Sequence, residues 1–190
     1  MKLATLALAL GLASPAFAGT TVSVDFEKTW SYGEEVGNTY AAQGVTFTNV
    51  LGLSNDAVQT YYSNAPSPLG VASAQLDGSV NTAAYMNVAD GVDYGLGFYY
   101  AGIDTFTVSA YSGLNGTGAL LGTLSLSATG DFDTWQYAVL NFSGTAQSFD
   151  LSGTNGVAAL DNIASVPEPS SIALLLAAGG GFVLSRRRRA

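Results

Sequence analysis

Period-2 alternation constrains this chain more than any other feature. Between Thr105 and Tyr111, Phe106, Val108 and Ala110 fall on one side, and Thr105, Thr107 and Ser109 on the other. Successive side chains of a strand point to opposite faces, so such a segment buries one face and wets the other. Thr20 to Phe26 repeats the pattern, with Val22, Val24 and Phe26 against Thr21, Ser23 and Asp25. Val45–Asn49, Leu120–Leu126, Trp135–Phe142, Gln147–Leu151 and Val157–Ile163 follow it, and Ala83–Val88 and Tyr94–Tyr100 read as strands with looser alternation. Asp77-Gly78, Asp90-Gly91, Asn115-Gly116 and Asn155-Gly156 supply residues that accept positive φ, the chemistry of tight turns. Gly33–Gly44 and Ser54–Gly70 read as longer loops, and no stretch of the body reads as an amphipathic helix. The expected fold is all-β: an antiparallel β-sandwich of jelly-roll type.

Composition narrows the chemistry. The 190 residues contain no Cys and no His. Disulfides, thiolate or imidazole metal ligands, and Ser-His-Asp or Cys-His catalysis are therefore excluded. Thirteen acids lie between Asp25 and Asp161 against Lys28 alone, a net charge of −12 over that stretch. Such a surface repels phosphate backbones, so no nucleic-acid partner is expected.

The two ends read as addresses. In residues 1–18, Lys2 is a positive n-region, Leu3 to Leu12 an apolar run, and Ala16-Phe17-Ala18 an A-x-A cleavage site. This is a secretory signal peptide cut after Ala18. The exported body is then residues 19–165, long enough to bury a core without covalent staples. Residues 166–190 carry Val166-Pro167-Glu168-Pro169-Ser170, the uncharged run Ile172–Leu184, and Arg186, Arg187, Arg188 and Arg189. As a short apolar helix, those 13 residues would span about 20 Å, against roughly 30 Å of bilayer core. The segment suits a temporary membrane stop with its arginines on the cytoplasmic side.

Together these tail features resemble the PEP-CTERM sorting signal of Gram-negative bacteria. The same segment also bears an ice-binding name, but the body has no Thr-x-Thr array to support that activity. The resemblance implies processing by an exosortase, an integral-membrane cysteine transpeptidase. The tail would be removed near Pro167, Glu168 and Pro169, and the body passed to the cell surface or its exopolysaccharide. Two prolines keep such a recognition segment extended and outside any ladder.

The body carries a second, looser resemblance. Val24-Asp25-Phe26-Glu27, Tyr40 to Phe47, Phe106 to Leu126, Trp135-Gln136-Tyr137 and Leu160-Asp161-Asn162-Ile163 stand in an order similar to the jelly-roll domains that precede PEP-CTERM tails. More distantly, it is similar to that of carbohydrate-binding modules of galactose-binding-like fold. A structural Ca²⁺ tying first strand to last is implied. Asp25 and Glu27, spaced by two on the first strand, and Asp161 on the last would supply the hard oxygens such an ion prefers.

Two kinds of residue bear on ligands. Trp30, Tyr32, Tyr61 and Tyr62 fall in or beside the longer loops, where aromatic rings can stack on sugars; the alternative is that they cap the open ends of the sandwich. Tyr99 and Tyr100 point to opposite faces, so at most one can be a platform. Asp131 and Asp133, and Asp90 and Asp93, are paired acids near turns. The expected function is a noncatalytic surface or matrix protein with weak exopolysaccharide affinity. The alternative is an exported polysaccharide hydrolase using paired carboxylates.

Overall fold

A computed structural model describes residues 20–54, 62–74 and 83–167. Among these residues, nine strands form one system in which every pair is antiparallel. They are β1 (Ser23–Val24), β2 (Val45–Thr48), β3 (Val50–Ser54), β4 (Gly70–Ala74), β5 (Tyr85–Gly102), β6 (Phe106–Tyr111), β7 (Leu120–Leu126), β8 (Gln136–Asp150) and β9 (Ala158–Ser165). The order is β3-β4-β9-β5-β8-β6-β7, with β1 added to β9 and β2 to β5.

Two long strands make this one sheet into two layers. The later part of β5 pairs with β9 and with the start of β8, Leu96 opposite Leu140. The early part pairs with β2, Met86 opposite Phe47, and with the end of β8, Phe149. The end of β8 also pairs with β6, Ala110 opposite Phe149. β5 and β8 therefore pass from one layer into the other. Between the layers lies the larger of two apolar clusters among the described residues, including Val24, Phe26, Phe47, Met86, Leu96, Phe98, Val108, Leu140, Phe149 and Ile163. Alternation is what delivers it: Phe106, Val108 and Ala110 are buried, while Thr107 between them is exposed.

Four expectations need correction. Asp90-Gly91 is not a hairpin turn. Gly91 (φ 77°) and Tyr94 (φ 75°) sit inside β5, at register shifts where the strand bends between layers. Bulges raise local twist and re-aim a strand without ending it. Likewise Gln147–Leu151 is not separate from Trp135–Phe142, because β8 runs through Gly144 at φ 88°. The first strand is much shorter than its alternation suggests: only Ser23 and Val24 pair with β9, and Phe26 turns left-handed at φ 55°. Finally, β3 and β4 were not legible as strands, since Val50-Leu51-Gly52-Leu53 and Gly70-Val71-Ala72 lack clean alternation. Asn115-Gly116 does behave as expected, with positive φ at both residues in the β6–β7 connection.

Among the described residues, no helix is long and apolar enough to cross a membrane. Ala16 and Ala18, the expected short apolar helix within Ile172–Leu184, Glu168, Pro169 and Arg186 to Arg189 lie outside the described residues. The described part ends on the tail's first features: β9 stops at Ser165, the Val166 N–H donates to the Gly95 carbonyl at 2.9 Å, and Pro167 is exposed.

Candidate functional site

The segment after β1 is organised by one indole. Trp30 lies against Gly52 of β3 so closely that an added Cβ there would fall 2.0 Å from its ring. Its Nε1–H donates to the Phe26 carbonyl at 3.0 Å, and its backbone N–H donates to Ser54 Oγ. Lys28 Nζ sits 4.4 Å from the ring centroid on a cation–π contact and also pairs with Glu34. The one basic residue of the body is thus committed to structure.

Beside this indole opens a cavity of about 480 Å³, lined by Trp30, Tyr32, Leu51, Leu53, Tyr62, Ser73, Phe132 and Ala159, among others. Among the described residues, no lining side chain carries a formal charge. Trp30 and Tyr62 are each only 3% exposed, whereas Tyr32 is 84% exposed. This corrects the expected platform. Trp30 and Tyr62 form walls, the latter with its hydroxyl donating to the Leu53 carbonyl at 3.0 Å, and of the three described rings Tyr32 presents an exposed one at the rim. Tyr61 lies outside the described residues. Phe132 is a lining residue that sequence reasoning missed, because its two flanking acids drew attention to the turn instead. Trp135 packs edge-on to Tyr62 at 6.3 Å and donates its Nε1–H to the Ser63 carbonyl, so it backs the cavity wall. Nearby on β5, Tyr100 is buried while Tyr99 packs at a tilt against exposed Tyr137, ring centroids 5.1 Å apart, which agrees with the alternation.

Asp161 is the buried acid of this corner, with no exposed surface. Its Oδ2 accepts the Ser67 N–H at 2.7 Å, and its Oδ1 accepts Ser67 Oγ–H at 3.1 Å and the Asn162 N–H at 2.7 Å. Burial pushes its pKa up to about 6 against the pull of those donors, with Glu27 adding to the rise. Glu27 Oε1 accepts the Leu69 N–H at 2.7 Å, and Asp25 Oδ1 accepts the Glu27 N–H and the Tyr40 hydroxyl. The Tyr40 hydroxyl is held protonated well above its ordinary range, first by burial and then by Asp25, with a smaller contribution from Asp161.

Of the acids in the Ca²⁺ expectation, Glu27 raises the pKa of Asp161, and Asp25 and Asp161 both raise that of Tyr40. As placed they do not fit a cage. Each has an oxygen accepting from protein N–H or O–H groups, and among the described residues no three acidic side chains gather to hold a metal ion. Asp25 and Glu27 are not successive members of one strand face either, since the left-handed Phe26 between them sends each to a different partner.

The remaining paired acids are local. Asp131 Oδ1 accepts the Asp133 N–H at 3.1 Å and the Thr134 N–H at 2.8 Å, closing its own turn. These bonds hold its carboxyl below the ordinary value. Asp93 Oδ1 accepts the Thr145 hydroxyl at 2.6 Å across β5 and β8, and Asp90 is exposed in the β5 bulge.

Residues 165–189 match the PEP-CTERM protein-sorting motif. The chain carries a PEP-CTERM sorting tail. That tail marks it for export. No curated protein matches the chain. Among solved structures it is similar to a family 6 carbohydrate-binding module, at 16% identity and TM-score 0.45, over 78% of this chain and 95% of that one. It is similar to the C-terminal family 6 module of a marine laminarinase from Zobellia galactanivorans, at 16% identity and TM-score 0.43, over 77% and 99%. It is also similar to the K1 cleaved adhesin domain of Lys-gingipain from Porphyromonas gingivalis, at 14% identity and TM-score 0.44, over 79% and 99%. The fold described above rests on the strand ladders and not on these likenesses.

Proposed function

We propose that this chain is an exported, noncatalytic surface or matrix protein of jelly-roll type, which an exosortase processes at the PEP-CTERM tail and whose body binds a neutral glycan weakly. The cavity beside Trp30 carries the binding reading: apolar and aromatic walls, Ser31, Ser54 and Ser73 as polar points, and no charged side chain among the described residues. Sugar rings present apolar faces to aromatic surfaces and hydroxyls to small polar groups. A polyanionic glycan finds no cation here, and the body's −12 charge repels it.

Hydrolysis would need two carboxyls across a bound sugar, one of them kept protonated. Among the described residues, no carboxylate lines the Trp30 cavity. Asp131 and Asp133 border a second, shallower recess, but both belong to one turn, and the bonds that close it keep Asp131 ionised.

The reading is tested by titrating the chain with a soluble neutral glucan and with a polyuronate. Weak binding to the glucan alone is expected. Tyr32→Ala should weaken it about tenfold, the scale of one lost stacking partner. No reducing ends should accumulate; a steady release that is lost in Asp131→Asn would install the hydrolase instead.

A further inference from the structure

Among the described residues, β1, β2, β3 and β7 each have a ladder partner on one side only; β1 is two residues long, and one segment guards β2 and β3. Along β3, Glu35 bridges Leu51, the Val36 N–H donates to the Val50 carbonyl, and the Gly52 N–H donates to the Glu34 carbonyl. Along β2, the Phe47 N–H donates to the Gly37 carbonyl and the Val45 N–H to the Tyr40 carbonyl. The long edge left is β7, which ends the strand order. Its ladder runs to β6 alone, and among the described residues no other backbone group bonds to Leu120–Leu126.

An open edge offers a row of unpaired N–H and C=O groups, and proteins ordinarily blunt it with charge, proline or a bulge. Here Leu-Leu-Gly-Thr-Leu-Ser-Leu contains neither charge nor proline, and the one register irregularity lies at its first residues, between Ala110 and Tyr111 of β6. The surrounding charge pattern sharpens the point. From Thr105 through Gly130 the sequence holds no Asp, Glu, Lys or Arg: 26 residues of neutrality in a body of net −12. Leu114 and Leu120 on the same hairpin are 41% and 58% exposed.

We propose that β7 is a self-assembly edge, on which the β7 of a second copy adds antiparallel about a two-fold axis near Thr123. A second copy is the occupant that the charges favour. Over most of the body two copies repel, whereas this hairpin lets them approach without juxtaposed acids. A cationic partner has nothing here to pair with. Antiparallel addition is isologous, each chain offering the same strand to the other, so it closes at a dimer. Thr123 and Ser125 are exposed on the wet side, where cross-strand hydroxyl pairs support such a ladder. The inference is independent of glycan binding.

The full chain in detergent, followed by sedimentation equilibrium, should show a concentration-dependent dimer. Thr123→Lys and Thr123→Glu place like charges opposite each other across the axis, and each should weaken the dimer by about tenfold or more, while an equimolar mixture restores it as a heterodimer. Melting curves of both variants verify that each is folded. Because the chain has no cysteine, Thr123→Cys supplies an independent readout. It should oxidise to a covalent dimer, whereas Ser143→Cys, exposed on β8, should not. A monomer at all concentrations would overturn the proposal. So would a dimer indifferent to both charges, or equal cross-linking from both cysteines.

Discussion

Asp161 and Asp131 are the same side chain in opposite circumstances. Asp161 lies on central strand β9 under the Ser67 loop, wholly buried, and its pKa rises to about 6. Asp131 lies in an exposed turn, and the N–H groups of Asp133 and Thr134 draw its pKa down. Both accept hydrogen bonds from backbone amides. Burial overrides those bonds in the first case and is negligible in the second. An acid's role is therefore decided by what the fold places over it, and spacing alone does not report that.

The largest break in this comparison is to remove what shapes the buried corner. Trp30 holds Gly52, Phe26, Ser54 and Lys28 together. Trp30→Ala should cost about 3–5 kcal/mol, the range for losing a large buried aromatic. Gly52→Ala should fail from the other side, since its methyl would enter the indole. Urea unfolding of both variants reads the loss. If either retained wild-type stability, the close packing between ring and glycine would be wrong.

The next effect is a pH slope. Asp161 has an ordinary value of 3.8 and a folded value of about 6. The folded chain holds this proton more tightly than the unfolded chain does. The group's contribution is thus most favourable below about pH 4 and is lost as pH rises towards 6, by at most about 3 kcal/mol. The melting temperature should fall over that interval and then level off. Relief of the body's self-repulsion on acidification acts in the same direction, so the discriminating variant is Asp161→Asn, whose profile should be flatter whatever its absolute stability. The same curves in Ca²⁺ and in chelator address the ion proposed for Asp25, Glu27 and Asp161. A Ca²⁺-dependent rise that these three residues abolish would require their oxygens to exchange N–H donors for the ion. Coincident curves would leave the hydrogen bonds as the full account.

Much of the sandwich was legible, because alternation is a direct consequence of strand geometry: β6, β7 and β9 stand close to where their sequence places them. β3 and β4 were not, since Gly52 and Gly70 are shaped by an indole and a carbonyl distant in sequence. The continuity of β5 and β8 was missed because Gly91 and Gly144 can serve a hairpin or a bulge, and only the partner strand decides. At the candidate site, the loop aromatics Trp30, Tyr32 and Tyr62 were legible as a group, but which ring stays free was not. Trp30 is buried against Gly52, a contact written in a strand that the pattern did not show, while Tyr32 stays exposed.

The smallest expected effect lies at Asp131, and its sign is the reverse of that at Asp161. A carboxyl with a depressed folded pKa contributes stability above its ordinary value of 3.8 and loses it as pH falls through the folded value. Glu34 behaves likewise, chiefly through its hydrogen bond to Lys28. Asp161 therefore contributes to a fall above the ordinary carboxylate range, and Asp131 with Glu34 to a fall below it. Asp131→Asn keeps an oxygen for the Asp133 and Thr134 N–H groups, so its turn should survive. Its melting temperature at neutral pH should change far less than that of Asp161→Asn, and only the acid limb should become shallower. Differential scanning calorimetry from pH 3 to 7 on the two variants reads both limbs. An Asp131→Asn profile that changed above pH 5 instead would mean that this turn is buried against something in the working protein, and the contrast between the two acids would fail.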